Sequence, residues 1–378
     1  MIYLTEEQIQ VRDMARDFAQ NEIAPVAAEL DETSTFPVDN VAKMAELGLF
    51  GMPFDVNYGG SEMDTVSCSL VIEELAKVCA SHSITVGAHL SLGTTPIAMF
   101  GNDAQKEKYM PSLCSGEYLG AFGLTEPNAG SDSGGTQTTA VRDGDNYIIN
   151  GSKIFITNAA YAGTIIITAV TDKDKGKRGI NAFVLERGME GLHIGKKEEK
   201  MGWRASDTRA LTFDNIVIPK ENLLGDPGAG FVQFMKILDG GRIGIAALSL
   251  GIAEGAYEAS LAYSKERAQF GKSISKFQAI SFKLANMAME IEAGRQLMLV
   301  AARLKDAGKN FTKEAAMAKL YCSELAMRVT TDAIQVHGGY GYIKEYPVER
   351  YFRDAKICEI GEGTSEIQRI VISREILK

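Results

Sequence analysis

The chain has 378 residues, of which 45% are hydrophobic and 24% are charged, values that are ordinary for a globular protein. A chain of this length exceeds the usual size of a single-core domain, so two or three domains are expected. The net charge of −9 argues against nucleic acid or an anionic membrane surface as the main partner. The uncharged stretch at 243–253 is far too short to span a bilayer.

The cysteines and histidines give no sign of a disulfide framework or a metal site. The five cysteines are scattered and form no C-x-x-C pair, which is typical of reduced thiols in a cytosolic protein. The four histidines include no H-x-x-x-H pair, so no metal is expected. The acidic start of the chain shows no secretory or transit peptide, and a cytoplasmic location is therefore expected.

The hydrophobic periodicity changes twice along the chain and predicts three domains. Residues 1–116 begin with a capping box at Thr5 and Gln8 and continue with helix spacing, which predicts an α-helical domain. Residues 117–224 carry short β-branched runs between turn signals, which predicts a small antiparallel sheet or barrel. Residues 225–378 carry long helical stripes with short connections, which predicts an antiparallel helix bundle.

Two segments in the middle zone have a composition that suits a ligand. Residues 122–135 form a loop dense in Gly, Ser, Thr and Asn, and its exposed N–H groups suit a phosphate or a heteroaromatic edge. Residues 152–158 alternate like a strand and place Phe155 and Thr157 on one face, where they could cover and bind a ring cofactor. Composition alone leaves open a surface turn cluster for the first segment and a half-buried strand for the second.

Two helix ends in the last zone also suit a phosphate. Arg267 follows one long helix, where it could grip a pyrophosphate or merely compensate the helix dipole. Residues 335–341 end another helix in glycines, so a ligand can approach the backbone closely. We interpret His337 as a structural helix-end residue rather than a catalyst.

Glu362 is the best general-base candidate in the chain. It lies between Gly361 and Gly363 on a short loop, and Thr364 or Ser365 can cap the helix that follows. Such a carboxylate can be aimed at a ligand while the glycines leave room for it. The alternative is a first-turn glutamate that only favours the helix dipole.

Taken together and in order, these segments resemble the acyl-CoA dehydrogenase family over essentially the whole chain, and most closely its short-chain, butyryl-CoA type. The resemblance is carried by residues 124–132, 153–158, 267–271, 335–341 and 353–364. It implies an α+β fold with an N-terminal helical domain, a β-barrel-like middle domain and a C-terminal four-helix bundle. It also implies FAD as the cofactor, held between the domains and across a subunit interface of a homotetramer.

The resemblance assigns a role to each matching residue. It makes Glu362 the catalytic base, and it places five residues against the FAD of a neighbouring subunit: Arg267, Phe270, Gln278, Gln335 and Gly339. It implies further FAD contacts from Phe122, Leu124, Thr125, Ser131, Phe155, Thr157, Thr364 and Gln368. It implies that the acyl-CoA substrate lies near Ser131, Asp239, Arg242, Gly361 and Gly363.

The implied reaction explains why a carboxylate is needed. A base removes the α-proton of a thioester in a dry pocket while the β-hydrogen leaves as hydride to the flavin. Apolar surroundings would raise the affinity of the carboxylate for the proton. Some family members place the base immediately before the position of Arg242, but Gly241 stands there and cannot serve.

The predicted function is α,β-dehydrogenation of a short-chain or compact acyl-CoA, or the reverse enoyl-CoA reduction, with electrons exchanged with an electron-transferring flavoprotein. Related enzymes usually carry an aromatic residue where this chain has Gly361. We therefore hypothesise a wider pocket, and an aryl- or other bulky enoyl-CoA reductase is an alternative. An acyl-CoA oxidase and a non-catalytic relative that binds FAD and nucleic acid are further alternatives. The exact acyl group, the direction in the cell and the permanence of the flavoprotein partner stay open.

Overall fold

A computed structural model describes residues 4–378, and α-helices fill the first third of this range. They are α1 (Glu6–Phe18), α2 (Ala27–Glu32), α3 (Val38–Glu46), α4 (Thr65–Val78), α5 (Ala80–Ala88), α6 (Thr95–Phe100) and α7 (Asp103–Ser115), with π-helical turns at Ala19–Ile23 and His89–Thr94. The predicted capping box is confirmed: the Gln8 N–H donates to Thr5 Oγ1 at 3.2 Å, and the Thr5 N–H donates to Gln8 Oε1 at 3.1 Å. Both donors would otherwise be unpaired at the start of a helix.

The middle of the chain forms one mixed sheet in the order β6-β7-β3-β2-β4-β5-β8, with β1 beside β4. Its strands are β1 (Leu119–Gly123), β2 (Thr139–Asp143), β3 (Asn146–Thr157), β4 (Ala162–Val170), β5 (Ile180–Glu186), β6 (Leu192–Lys197), β7 (Thr208–Pro219) and β8 (Leu223–Leu224). A hairpin joins β2 and β3, where Asp143 pairs with Asn146 and Gly144 between them has φ +59°. Most strand pairs are antiparallel, as predicted, but β1 pairs with β4 in parallel, and Thr139 of β2 also pairs with Val170 of β4 in parallel.

The strict alternation predicted for residues 152–158 is also wrong. The pairing of β3 with β7 shifts register between Lys153 and Ile156, and Phe155 in that bulge has φ +59°. As a result Lys153 and Ile156 both point inward, while the Phe155 side chain is 63% exposed. The bulge therefore turns an aromatic ring away from the core of the sheet.

The last part of the chain is a helical bundle. Its elements are α8 (Gly230–Glu266), a small ribbon of β9 (Ala268–Gln269) and β10 (Lys272–Ser273), α9 (Gln278–Asp306), α10 (Thr312–His337), α11 (Val348–Ala355) and α12 (Ser365–Ile376). Helix α10 packs against α8, α9 and α12, and its predicted stripe from Cys322 to Val336 is buried. The predicted stop after α10 is confirmed, with Gly338 at φ +60°. No helix in residues 4–378 is long and apolar enough to cross a membrane.

Two contacts fix the helical and sheet parts around the loop that carries Glu362. Helix α4 packs against α8, and both contribute to one hydrophobic core. The Trp203 N–H, at the approach to β7, donates to Asp354 Oδ1 at 2.6 Å in α11. A Cβ atom at Gly202 would lie 2.5 Å from the Arg353 carbonyl oxygen, so the two backbones meet closely there. The sheet is thereby held against the segment that leads to Glu362.

Candidate active site

Glu362 lies on a tight loop between a 3₁₀ turn at Lys356–Glu359 and helix α12. Its backbone is left-handed, with φ +52°, a conformation that costs a non-glycine residue roughly 1–3 kcal/mol. The loop is held from the following helix: Thr364 Oγ1 accepts from the Ile367 N–H at 3.3 Å, and Gln368 Nε2 donates to the Gly363 carbonyl at 2.8 Å. These bonds give the carboxylate a fixed direction.

The Glu362 carboxylate points at helix α8, where a glycine makes room for it. Oε2 is buried and has no hydrogen-bond partner among the described residues. A Cβ atom built on Gly241 would lie 2.1 Å from that oxygen. Any side chain at position 241 would therefore push the carboxylate out of place, so the glycine is part of the site.

The electrostatics around Glu362 suit a base that works at neutral pH. Burial raises the pKa of the carboxyl to about 7, and the nearby charges of Lys319 and Arg242 act in the opposite direction. A general base is most effective when its pKa lies near the working pH. An unpartnered carboxylate with this pKa can both take up and release a proton.

Asp239 and Arg242, predicted to lie near the substrate, form a buried ion pair on α8 one turn apart. Asp239 Oδ2 also accepts from Thr312 Oγ1 at 2.8 Å, which connects α8 to the start of α10. Arg242 is only 1% exposed, and its Nε has no partner among the described residues. The pair therefore lies beside Glu362 within the protein rather than on an open surface.

Lys319 is a charged residue of this site that the sequence reasoning missed. It is fully buried on α10, and its Nζ donates to the Gly363 carbonyl at 2.7 Å, next to Glu362. A signal was present, because Lys319 interrupts an apolar helical stripe that runs through Ala315 and Cys322.

The sequence reasoning also missed a buried ion pair, which organises the polar loop that follows β1. Lys153 Nζ is completely buried and donates to Glu126 Oε1 at 2.7 Å and to the Leu124 carbonyl at 3.1 Å. Glu126 in turn accepts from the N–H groups of Gln137 at 2.7 Å and Thr138 at 3.0 Å. Burial lowers the pKa of Lys153 to about 8 despite this partner. The pair ties both ends of the loop to β3.

The structure places the middle-domain candidates around this loop and on β3. Leu124, Thr125 and Thr157 are half-buried, while Ser131 and Phe155 are exposed. Phe122 differs from them, because it is buried in β1 against β4 as part of the main core. Phe122 therefore lies behind the loop rather than on its open side, and its contact with a cofactor stays a prediction.

A third group lies where α8 and α10 end. Arg267 and Gly339 line a cavity of about 580 Å³ together with Tyr263, His337 and Tyr340. The Arg267 guanidinium lies over the Tyr340 ring at 5.7 Å, and His337 stacks on Tyr263 at 4.3 Å. This stacking is in keeping with a structural role for His337.

Three further predicted cofactor residues lie on the outside near this cavity. Phe270 is 93% exposed and has φ +52°, and Gln278 and Gln335 are exposed as well. The Phe270 ring packs edge-to-face against Phe277 at 6.0 Å between centroids, which leaves most of its surface open to solvent. These positions are suited to a partner outside this chain.

The residues in these groups fit a large cofactor with a flat ring and phosphates. Phe155 offers an exposed aromatic face, Arg267 offers a fixed cation, and a Cβ at Gly338 or Gly339 would meet no atom within 4 Å. In addition, Gln368 Oε1 beside the Glu362 loop is buried without a partner among the described residues. A planar ring, a diphosphate and polar atoms that need partners are what FAD brings.

Family sequence models match the chain in three consecutive parts. The acyl-CoA dehydrogenase N-terminal, middle and C-terminal domains match residues 5–117, 121–216 and 228–377. The chain belongs to the acyl-CoA dehydrogenase family. It is therefore an oxidoreductase that acts on CH–CH bonds, with the α+β fold of this flavoprotein family.

Curated relatives in this family match over nearly their full length. The chain is 56% identical to the probable acyl-CoA dehydrogenase YngJ of Bacillus subtilis and 54% identical to the short-chain specific acyl-CoA dehydrogenase of Clostridium acetobutylicum, with 99% of both chains covered in each case. It is 44% identical to the 3-(aryl)acrylate reductase of Clostridium sporogenes, over 100% of both chains.

Solved structures superpose equally well. The butyryl-CoA dehydrogenase of Megasphaera elsdenii has a TM-score of 0.98 at 50% identity, with 99% of both chains covered. A chain in a structure described as the electron transferring flavoprotein of Acidaminococcus fermentans has a TM-score of 0.98 at 52% identity, over 100% of both chains. An acyl-CoA dehydrogenase from Bacillus anthracis, solved in complex with FAD, has a TM-score of 0.93 at 34% identity, covering 99% of this chain and 67% of that one.

Proposed function

We propose that this acyl-CoA dehydrogenase uses FAD for the α,β-dehydrogenation of a short-chain or compact acyl-CoA, or for the reverse enoyl-CoA reduction, with Glu362 as the α-proton base. The observation that carries the proposal is the buried, unpartnered Glu362 Oε2, aimed across the space left by Gly241. The short-chain specific and butyryl-CoA relatives support the substrate class.

In this mechanism Glu362 takes the proton from the α-carbon of the thioester. The fixed loop keeps its Oε2 in one direction, and burial excludes water that would compete for the carboxylate. The chemistry that FAD would supply when bound is a hydride acceptor for the β-hydrogen. Because the pKa of Glu362 is about 7, both its forms are populated at neutral pH, so the residue can serve as the base for dehydrogenation or as the acid for reduction.

The candidate cofactor residues form two sets. One set would hold the FAD bound within the same chain, and the other would hold the FAD bound in a neighbouring subunit. Leu124, Thr125, Phe155 and Thr157 would hold the flavin ring from the middle domain, and Thr364 and Gln368 would approach the cofactor from α12. The exposed group at the ends of α8 and α10 would hold the FAD of a second subunit, in keeping with the open surfaces of Phe270, Gln278 and Gln335. We therefore propose a homotetramer with shared cofactor sites.

The electron acceptor or donor is proposed to be an electron-transferring flavoprotein, supported by the A. fermentans structure. Turnover of butyryl-CoA by the FAD-loaded enzyme separates this proposal from an oxidase. We expect reduction of an added electron-transferring flavoprotein and no oxygen consumption in its absence. Rapid oxygen consumption without a carrier would identify an acyl-CoA oxidase instead.

A second candidate function is reduction of a bulky or aromatic enoyl-CoA, and it rests on Gly361. A Cβ at this position would come no closer than 3.4 Å to its nearest neighbour, the Ile357 carbonyl oxygen, so packing does not require a glycine there. The absence of a side chain then leaves volume beside the base. The 3-(aryl)acrylate reductase relative supports this candidate.

The two candidates differ in their response to a larger residue at position 361. For the bulky substrate, Gly361→Tyr is expected to lower kcat/KM for cinnamoyl-CoA reduction by about tenfold or more while sparing butyryl-CoA. A clear preference of the unmodified enzyme for butyryl-CoA over cinnamoyl-type substrates would rule the second candidate out. Gly361→Ala serves as the small-residue control.

A further inference from the structure

Lys319 is a buried cation placed next to the base loop. It lies within α10 among buried alanines, with no exposed surface. Its one hydrogen bond among the described residues goes from Nζ to the Gly363 carbonyl at 2.7 Å. Taking an ammonium group out of water is costly, so a lysine in this position needs a compensating interaction.

That compensation does not come from a direct ion pair. Among residues 4–378, the hydrogen bond of Lys319 Nζ goes to a backbone carbonyl and not to a carboxylate, yet the charge of Glu362 favours its protonated form. Burial lowers the pKa of Lys319 to about 8, which leaves it mostly charged at neutral pH. The cation therefore acts on Glu362 at a distance, without engaging the oxygen that must take the proton.

The other cation near the base is already engaged. Arg242 on α8 also faces Glu362, but Asp239 pairs with it and offsets its charge. Lys319 itself is faced by Arg242, Glu362 and by Cys358 and Glu359 of the turn before the loop. The Cys358 thiol is neutral, because burial raises its pKa to about 12. Lys319 is thus the unpaired positive charge around the base.

We propose that Lys319 is a positioning residue for Glu362: its hydrogen bond to Gly363 fixes the base loop, and its charge favours the ionised carboxylate at neutral pH. This inference rests on the proposed role of Glu362 as the base. Without Lys319, burial opposed only by the paired Arg242 would hold the carboxyl in its protonated form to higher pH, and the base would be less available. The lysine therefore offsets part of the free energy that it costs to ionise a carboxyl group in a dry active site.

Infrared difference spectroscopy across a pH titration tests the charge directly. The carbonyl band of the protonated Glu362 carboxyl is assigned by its loss in Glu362→Gln. In Lys319→Gln, the new amide can still donate to Gly363. We expect the pH midpoint of Glu362 protonation to rise in this variant, with about tenfold tighter proton binding. Lys319→Arg keeps the charge and is expected to titrate near the unmodified protein, as is the surface control Lys283→Gln. An unchanged midpoint in Lys319→Gln would overturn the proposal.

A reciprocal measurement avoids any change at Lys319, should its variants not fold. Since coupling between two sites is mutual, Glu362→Gln must lower the pKa of Lys319, which NMR of a ¹⁵N-labelled side chain can follow. An unchanged Lys319 titration in Glu362→Gln would overturn the proposal as well. Neither readout involves acyl-CoA or flavin reduction. An enzyme that fails to turn over acyl-CoA would therefore refute the proposed function while leaving this coupling separately measurable.

Discussion

Glu362 depends on a neighbour that has no side chain. We predict that Gly241→Ala lowers kcat for butyryl-CoA by about 100-fold, because the new methyl group displaces the carboxylate from its aimed position. Gly244→Ala on the same helix is the matched control, since a Cβ there meets no atom within 4 Å. Steady-state kinetics of both variants check this. Equal activity of the two would show that the carboxylate works from a different position.

The pH dependence of the reaction follows from the pKa of Glu362, which burial raises to about 7. Dehydrogenation requires the ionised base, so its rate should rise as the pH increases through about 7 and then level off. Enoyl-CoA reduction requires the protonated form, so its rate should fall over the same range. Rapid-mixing measurements of the flavin half-reactions in both directions check the two signs. A dehydrogenation rate that falls with pH would contradict this assignment.

At the scale of secondary-structure elements, the buried Lys153–Glu126 pair controls the loop between β1 and β2. We predict that Lys153→Met destabilises the protein by about 3–5 kcal/mol, because the Glu126 carboxylate is left buried without its cation. The loop that was tied to β3 should then bind FAD more weakly.

Thermal unfolding and FAD titration measure these two effects. The exposed Lys220–Asp145 pair joins the same sheet region and supplies the control. Lys220→Met should leave both the melting temperature and the FAD affinity unchanged, since exposed ion pairs contribute little to stability. If the two variants behave alike, the buried pair does not organise the loop.

The elements differ in how well their sequences predicted them. The stripes of α9 and α10 and the capping box of α1 were predictable, because their signals lie within one or two helical turns. The bulge in β3 was not, because a left-handed Phe155 breaks the alternation without glycine or proline to announce it. The parallel pairing of β1 with β4 depends on distant segments, and no local pattern reports it.

At the scale of the whole molecule, α9 presents an apolar face to solvent. Phe282 is 61% exposed, Met289 is 64% exposed, and Val300 continues the same helical face. Exposed apolar side chains on one stripe are typical of a subunit contact. We predict a homotetramer in solution, and a smaller assembly for the double variant Phe282→Asp/Met289→Asp.

Light scattering coupled to size-exclusion chromatography measures both masses. Val141→Asp, which changes an exposed apolar residue on the sheet, is the control and should leave the mass unchanged. A monomeric unmodified protein would contradict the prediction. A monomer would also require another explanation for the exposed side chains of Phe270, Gln278 and Gln335.

The candidate site was predictable in part from sequence. Glu362 and the segments that could hold a cofactor follow from short local patterns and their order along the chain. Lys319 and the Lys153–Glu126 pair do not, because their meaning depends on partners 27 or more residues away that only folding brings close. The role of Gly241 is likewise recognisable only in the folded protein, where the Glu362 carboxylate occupies the space beside it.

The most direct test of the central claim is an anaerobic titration of the FAD-loaded enzyme with butyryl-CoA, followed by flavin absorbance, for the unmodified protein and Glu362→Gln. We expect bleaching of the flavin in the unmodified enzyme. In the variant we expect retained FAD and a bleaching rate lower by about 100-fold or more, because the α-proton acceptor is lost. Near-normal bleaching of the Glu362→Gln flavin would contradict the account and place the base elsewhere.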